Sequence, residues 1–318
     1  MKESFHKSER LTKEKKDALV KKSNHPALFR FVLLFSLYLF FSMGIVVTWE
    51  GPIWLFLICV FVYGVLCCSM FACLHETIHN TAFKTLWLNR FAAFFAGIAH
   101  VYPSLMIQEI HFTHHRHTHI PGKDPEISIG NNPLPTLVSN LPLYLAWVSG
   151  LPLYIFKNVI SILGALGIPE FIRKRAFPYV RPNIRLKLFL NSLSVVLVQL
   201  AFLLLAIYVN PGFWGLFLGQ AVGHCFLASY TIAEHTGLPN EGTIFDKTRS
   251  IKASKLVNFI MWNMPYHAEH HAYPEIPFYS LPKLHELMND EIIHKDKTHP
   301  LFHWMALKKT TIGNSKLD

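Results

Sequence analysis

Three clusters of histidine carry the chemistry this chain can do. His111-Phe112-Thr113-His114-His115 is a His-x-x-His-His box, and His267-Ala268-Glu269-His270-His271 repeats it. Upstream, His75-Glu76-Thr77-Ile78-His79 sets two histidines four residues apart. Residues three and four apart share a helix face, so each cluster can aim its imidazoles in one direction. Neutral imidazole is the commonest side-chain ligand for transition metals. Eight imidazoles exceed the four or so that one zinc takes and are enough for two metals. Histidine is 19 of 318 residues. At that frequency a chance His-x-x-His-His arises about 0.07 times in a chain of this length, so two copies and a third cluster are not an accident of composition.

Other polar groups stand near the boxes. His235 ends an apolar run and is a candidate ninth ligand; the alternative is a capping or hydrogen-bonding histidine. His117 and His119 follow the second box at i,i+2 spacing, which puts them on different helix faces and favours an outer hydrogen-bonding or surface role. His100 and His224 lie in or beside apolar runs, where a histidine is either functional or a satisfied packing residue. A ligating imidazole usually donates its other N–H to an acceptor. Glu76, Asp124, Glu234, Glu269 and the amide of Asn263 are candidate acceptors, with solvated or ion-paired side chains as the alternative.

The elements that must position these residues belong in a membrane. The chain is 51% hydrophobic and 16% charged, with mean hydropathy +0.28. That describes an all-α polytopic membrane protein and excludes an ordinary soluble domain. Apolar runs long enough to span a bilayer occupy residues 27–49, 53–74, 188–209 and 213–233. Glu50-Gly51-Pro52 and Asn210-Pro211-Gly212 join them as two hairpins. Residues 91–106, interrupted by Pro103, read as a re-entrant or interfacial segment. Residues 134–168, broken by prolines and glycines and carrying Lys157, read as helices lying on or dipping into the interface. All 30 Lys and Arg fall in residues 1–30, 84–187 or 247–316, and the two hairpin turns hold none. The positive-inside rule then places both termini and the middle segment in the cytosol. That assignment ignores the histidines, yet it puts all three boxes on one side, at the membrane face, as a cytosolic di-metal domain. The expected organisation is a cytosolic tail over 1–26, one membrane domain over 27–290 and a second cytosolic tail over 291–318. A formal charge of +10 suits an anionic lipid surface or an acidic partner. No basic stripe interleaved with aromatics points to nucleic acid. The initial stretch does not read as a signal peptide. Cys59, Cys67, Cys68, Cys73 and Cys225 lie in apolar stretches without a Cys-x-x-Cys pair and read as packing residues.

The boxes, their order and their attachment to two hairpins make the chain resemble the membrane fatty acid desaturase family over roughly residues 30–290. The matching stretches are His75-Glu-Thr-Ile-His-Asn-Thr-Ala-Phe83, His111-Phe-Thr-His-His-Arg-His-Thr118 and Asn263-Met-Pro-Tyr-His-Ala-Glu-His-His271 with Pro274 and Pro277 following. The resemblance implies a non-haem centre of two irons held by His75, His79, His111, His114, His115, His267, His270 and His271. His235 falls where related enzymes carry a further ligand. It implies an enzyme that uses dioxygen to remove two hydrogens from a lipid acyl chain and leave a double bond. The electrons would come from NAD(P)H through a separate donor, a ferredoxin or a b-type cytochrome, since the fused-cytochrome motif His-Pro-Gly-Gly does not occur in the chain. The implied setting is a bacterial inner membrane or the endoplasmic reticulum. Three residues between the histidines of the first box are more like acyl-lipid desaturases and carotenoid-modifying relatives than animal-type acyl-CoA desaturases.

Two rival readings share these residues. The same centre could hydroxylate or ketolate a lipid, carotenoid or sterol. His75-Glu-Thr-Ile-His79 also matches the His-Glu-x-x-His motif of zinc proteases, but that motif needs one further ligand and leaves the two His-x-x-His-His boxes unused.

Overall fold

Helix α1 (Lys13–Leu19) precedes the first hairpin, α2 (His25–Thr48) and α3 (Ile53–Ile78). The second hairpin is α9 (Arg185–Tyr208) and α10 (Trp214–His235). Between the hairpins lie α4 (Leu86–Ala99), α5 (Ser104–His117), α6 (Leu141–Val148), α7 (Leu151–Ala165) and α8 (Glu170–Ala176). After them come α11 (Ile244–Lys247), α12 (Lys255–Ile260), α13 (His267–Ala272), α14 (Leu281–Met288) and α15 (His299–Ile312). The structure, a computed structural model, describes residues 11–126, 128–129, 132–133 and 140–312. Among these the only extended pairing is two residues long, β1 (Ser128–Ile129) against β2 (Asn132–Pro133). The protein is therefore all-α in architecture.

Four helices are long and apolar enough to cross a bilayer: α2, α3, α9 with its preceding 3-10 turn, and α10. This is a multi-pass membrane protein, and the four expected spans match these helices to within a few residues. Two helices are central and two peripheral. About 61% of the apolar window of α3 and 56% of that of α10 is buried, against 28% for α2 and 22% for α9. Water cannot drive helices together inside lipid, so close backbone approach does the work, and small residues permit it. Gly215, Gly219 and Gly223 recur every fourth residue along α10, and the last two meet α3. A methyl at Gly219 would sit 2.4 Å from the Tyr63 ring, and one at Gly223 would sit 2.7 Å from Cys67 Cβ.

The segments between the hairpins form two bent helix pairs, each a broken span or a re-entrant element. α4 and α5 meet at 102°, and α6 and α7 meet at 55°. Pro103 starts α5, and Gly150, at φ 72°, separates α6 from α7. A helix break at membrane depth must satisfy its freed backbone groups inside protein. The Ala99 carbonyl at the first corner accepts the Tyr38 hydroxyl at 3.3 Å, and Asn191 of α9 holds Ser104 and the Leu105 N–H at 3.2 and 3.0 Å. α5 thus leaves a fixed corner and carries the second box to the ends of α3 and α10. Expected features at residues 1–10, 134–139 and 313–318 lie outside the described residues. Four of the five cysteines are buried and all five are free.

Candidate metal centre

The last turn of α3 brings His75, with His79 at its C-cap. The second half of α5 brings His111, His114 and His115, and α13 brings His267, His270 and His271. The last residue of α10 is His235. These elements end at one place because α3 packs along α10 and α5 returns from its corner beside them. The imidazoles form two adjacent groups. His75, His79, His111, His115 and His270 hold ligand atoms within 4.8 Å of one another, and so do His114, His235 and His271. The groups touch where the rings of His115 and His271 stack at 4.1 Å. His267 lies outside both sets but beside the second, its Nε2 2.8 Å from His235 Nε2 and its ring 4.4 Å from that of His271.

The expectation that each trio points one way needs correction. At 3.6 residues per turn, His115 is rotated only about 40° from His111, while His114 lies about 60° to the other side. His111 and His115 therefore face the first group and His114 faces the second. α13 divides in the same manner, with His270 in the first group and His271 in the second.

The ring nitrogens are sorted. His75 Nδ1 meets Glu76 Oε1 at 3.1 Å, His111 Nδ1 meets Glu126 Oε1 at 2.8 Å, and His114 Nδ1 sits 2.9 Å from both oxygens of Asp124. His235 Nδ1 donates to the Lys247 carbonyl at 3.0 Å, and His267 Nδ1 lies 3.5 Å from Glu234 Oε1. Where Nδ1–H is donated outward, in His75, His111, His114 and His235, Nε2 carries a lone pair directed inward. The Nε2 atoms of His75, His79, His270 and His271 are buried with no hydrogen-bond partner. The remaining Nε2 atoms crowd one another, His111 against His115 at 2.9 Å and His114 against His235 at 3.2 Å. Acceptors facing acceptors in a buried site are unstable alone and are what a cation needs. Burial first, and then neighbouring imidazoles, push His267, His270 and His271 well below the usual histidine pKa, which keeps them neutral and able to ligate. The donor set fits two metal ions that accept nitrogen ligands.

Of the expected acceptors, Glu76, Asp124 and Glu234 stand beside ligand-candidate imidazoles. Glu269 does not: it bonds Ser250 and His285. Asn263 donates to the Phe278 carbonyl at 2.9 Å instead. Glu269 points from α13 to Ser250 and His285, and Asn263 lies four residues ahead of the third box and bonds the segment that follows it. Glu126 was missed, since nothing in a loop sequence shows that it folds back onto His111. Of the outer hydrogen-bonding or surface role expected for His119, the surface alternative does not hold. It lies past the end of α5, 1% exposed, and its Nδ1 donates to the Pro239 carbonyl at 2.9 Å.

A sequence profile of the fatty acid desaturase family matches residues 51–300. The chain is 27% identical over 254 residues to a sphingolipid delta(4)-desaturase DES1-like protein of Arabidopsis thaliana, covering 77% of this chain and 67% of that protein. It is 26% identical over 245 residues to a sphingolipid delta(4)-desaturase of Candida albicans, covering 74% and 62%. It is 25% identical over 230 residues to a fatty acid desaturase of Bacillus subtilis, covering 68% and 63%. The matched part thus spans about two thirds of each relative or slightly less.

Proposed function

The chain belongs to the fatty acid desaturase family, an oxidoreductase family, and from that premise we propose that it is a membrane-bound, dioxygen-dependent lipid desaturase with two irons. The observation that carries the reading is the convergence of nine imidazoles, with inward-facing Nε2 atoms, at the shared end of α3 and α10. His75, His79, His111, His115 and His270 would hold one iron; His114, His235, His267 and His271 would hold the other. Bound iron would supply the reduction of dioxygen that an unactivated methylene pair requires. The balance is two hydrogens lost from the chain, two electrons and two protons added from outside, and one dioxygen reduced to two waters.

The residues of this chain supply the setting. Glu76, Glu126 and Asp124 fix the ring orientations of His75, His111 and His114, which places the ligand atoms before any metal arrives. His75, His111, His114 and His270 are at most 3% exposed, so water is kept from the reacting groups. A lipid chain reaches such a site by lateral diffusion, and the apolar rings of Phe71 and Phe112, 6.4 Å from His75 and 5.2 Å from His79, offer it an apolar wall. The relatives named as sphingolipid delta(4)-desaturases support a membrane lipid chain as substrate, and a sphingolipid is the first lipid to assay. The electrons come from a separate donor, a ferredoxin or a b-type cytochrome. The lysine and arginine distribution supports a cytosolic active site and cytosolic termini, with tails over 1–26 and 291–318 flanking the membrane domain.

The test is mass spectrometry of total lipids from a host expressing the wild type beside His114→Ala. A species two hydrogens lighter, seen only with the wild type, is the expected result. A species one oxygen heavier would instead assign hydroxylation to the same centre. Wild-type protein that holds no iron would overturn the reading.

A further inference from the structure

We propose that His119 supplies an imidazole nitrogen to the second of the two metal positions. The inference rests on the two-metal reading of the histidine cluster. It starts from an inequality: the first group gathers five imidazoles, while the second gathers three, with His267 beside it. His119 approaches the second group from a loop. Its ring centroid lies 5.3 Å from that of His235, close to the 4.8–5.0 Å that separates His114, His235 and His271 from one another.

The bonding of His119 is that of a ligand. Its Nδ1–H donates to the Pro239 carbonyl at 2.9 Å, which leaves the lone pair on Nε2. That Nε2 is buried and has no hydrogen-bond partner among the described residues. Its backbone N–H donates to Asp124 Oδ2 at 2.9 Å, and the same carboxylate orients His114. One acidic side chain thus bonds the His114 ring and the His119 backbone together. The backbone of His119 also stands at φ 62°, a region that most residues with a Cβ avoid and that histidine tolerates better than most. A buried, unpartnered nitrogen costs about 1–3 kcal/mol. A metal at the second position removes that cost, and no hydrogen-bonding group among the described residues does.

The variant that isolates the claim is His119→Asn. Asparagine tolerates the left-handed backbone, and its amide N–H can keep the bond to Pro239, so the change removes Nε2 and little else. Full-length wild type and variant, purified in detergent and stripped of metal, are titrated anaerobically with Fe(II), and bound iron is counted after dialysis. The expected result is two irons on the wild type, and on the variant one iron held normally and a second held at least about tenfold more weakly. Equal retention of both irons by the variant would overturn the role of His119. Wild type that retains no iron would overturn the two-metal reading itself, a different outcome. Should His119→Asn elute as aggregate, His119→Gly suits the same backbone. Added imidazole should then restore its second iron, and a failure to restore it in soluble protein counts against the proposal.

Discussion

The protein buries histidine in two places, and the two places use it in opposite ways. At the ends of α3 and α10, the Nδ1 atoms of His75, His111, His114 and His235 are tied outward to carboxylates and a carbonyl, and Nε2 atoms converge. Deeper in the membrane domain, His100 spends both nitrogens on protein. Its Nδ1 donates to the Cys67 carbonyl at 2.9 Å, and its Nε2 lies 2.5 Å from Lys157 Nζ. His224 stacks on that ring at 4.5 Å and gives its Nδ1 to the Gln220 carbonyl. Lys157 completes its surroundings with the faces of Phe71 and Tyr102, 5.0 and 4.9 Å away. This second cluster ties α3, α7, α10 and the α4–α5 corner together. Burial and residue type are alike in the two regions. What separates the two regions is convergence: His100 has partners on both nitrogens and His224 leaves a single Nε2 without one, whereas at the helix ends many such nitrogens face one another.

That contrast can be broken by experiment, and the largest effect belongs to the ligand set. His270→Ala removes a member of the five-imidazole group, and lipid product should fall to the level of an empty host by mass spectrometry; product near the wild-type level would put His270 outside the ligand set. Metal removal comes next. Stripping the metal from protein held in free metal at about 100 times the dissociation constant should cost about 2.7 kcal/mol of stability per site, read as a lower unfolding midpoint in detergent. An unchanged midpoint would mean that the crowded Nε2 atoms are stable without a cation. Asp124→Asn keeps the shape of the loop but weakens the hold on His114 and on the His119 backbone. Iron affinity or turnover should drop roughly 10- to 100-fold, and an unaltered Fe(II) titration would remove Asp124 from the orienting role. The smallest functional effect belongs to the bolt. Lys157→Met preserves length and the apolar stem but strips His100 of its partner, and should lower stability by about 1–3 kcal/mol while bound iron stays at the wild-type count. Loss of iron in that variant would erase the distinction between the two regions.

Much of this was legible before any fold. The expected spans 53–74 and 213–233 are the cores of α3 (Ile53–Ile78) and α10 (Trp214–His235), because bilayer thickness imposes a run length that a sequence must display. α3 runs on past its apolar run because the first box continues the same helix. Pro103 and the breaks around Gly150 announced the bent pairs for a local steric reason. The repeat of Gly215, Gly219 and Gly223 was also available as a signal of close packing, and the Cβ contacts show its use.

Other features had no local signal. Spacing alone says that His111, His114 and His115 cluster; it does not say that they serve two groups, which depends on where α3 and α13 approach α5. Glu126 and His119 are loop residues, and a loop's direction is set by what it packs against. His235 could be read only as a ligand or a cap until the ends of α10 and α13 met, 2.8 Å apart at His235 and His267. Covalent geometry and solvent therefore determined, from the sequence by itself, the hairpins, the common face of the boxes and the class of chemistry. Those depend on properties that accumulate along the chain: hydropathy, charge and helical period. Which nitrogen faces which group, which carboxylate orients it and which buried histidines are already satisfied were decided only by tertiary structure. Each of those is a distance between atoms of segments far apart in sequence, and no sum along the chain contains it.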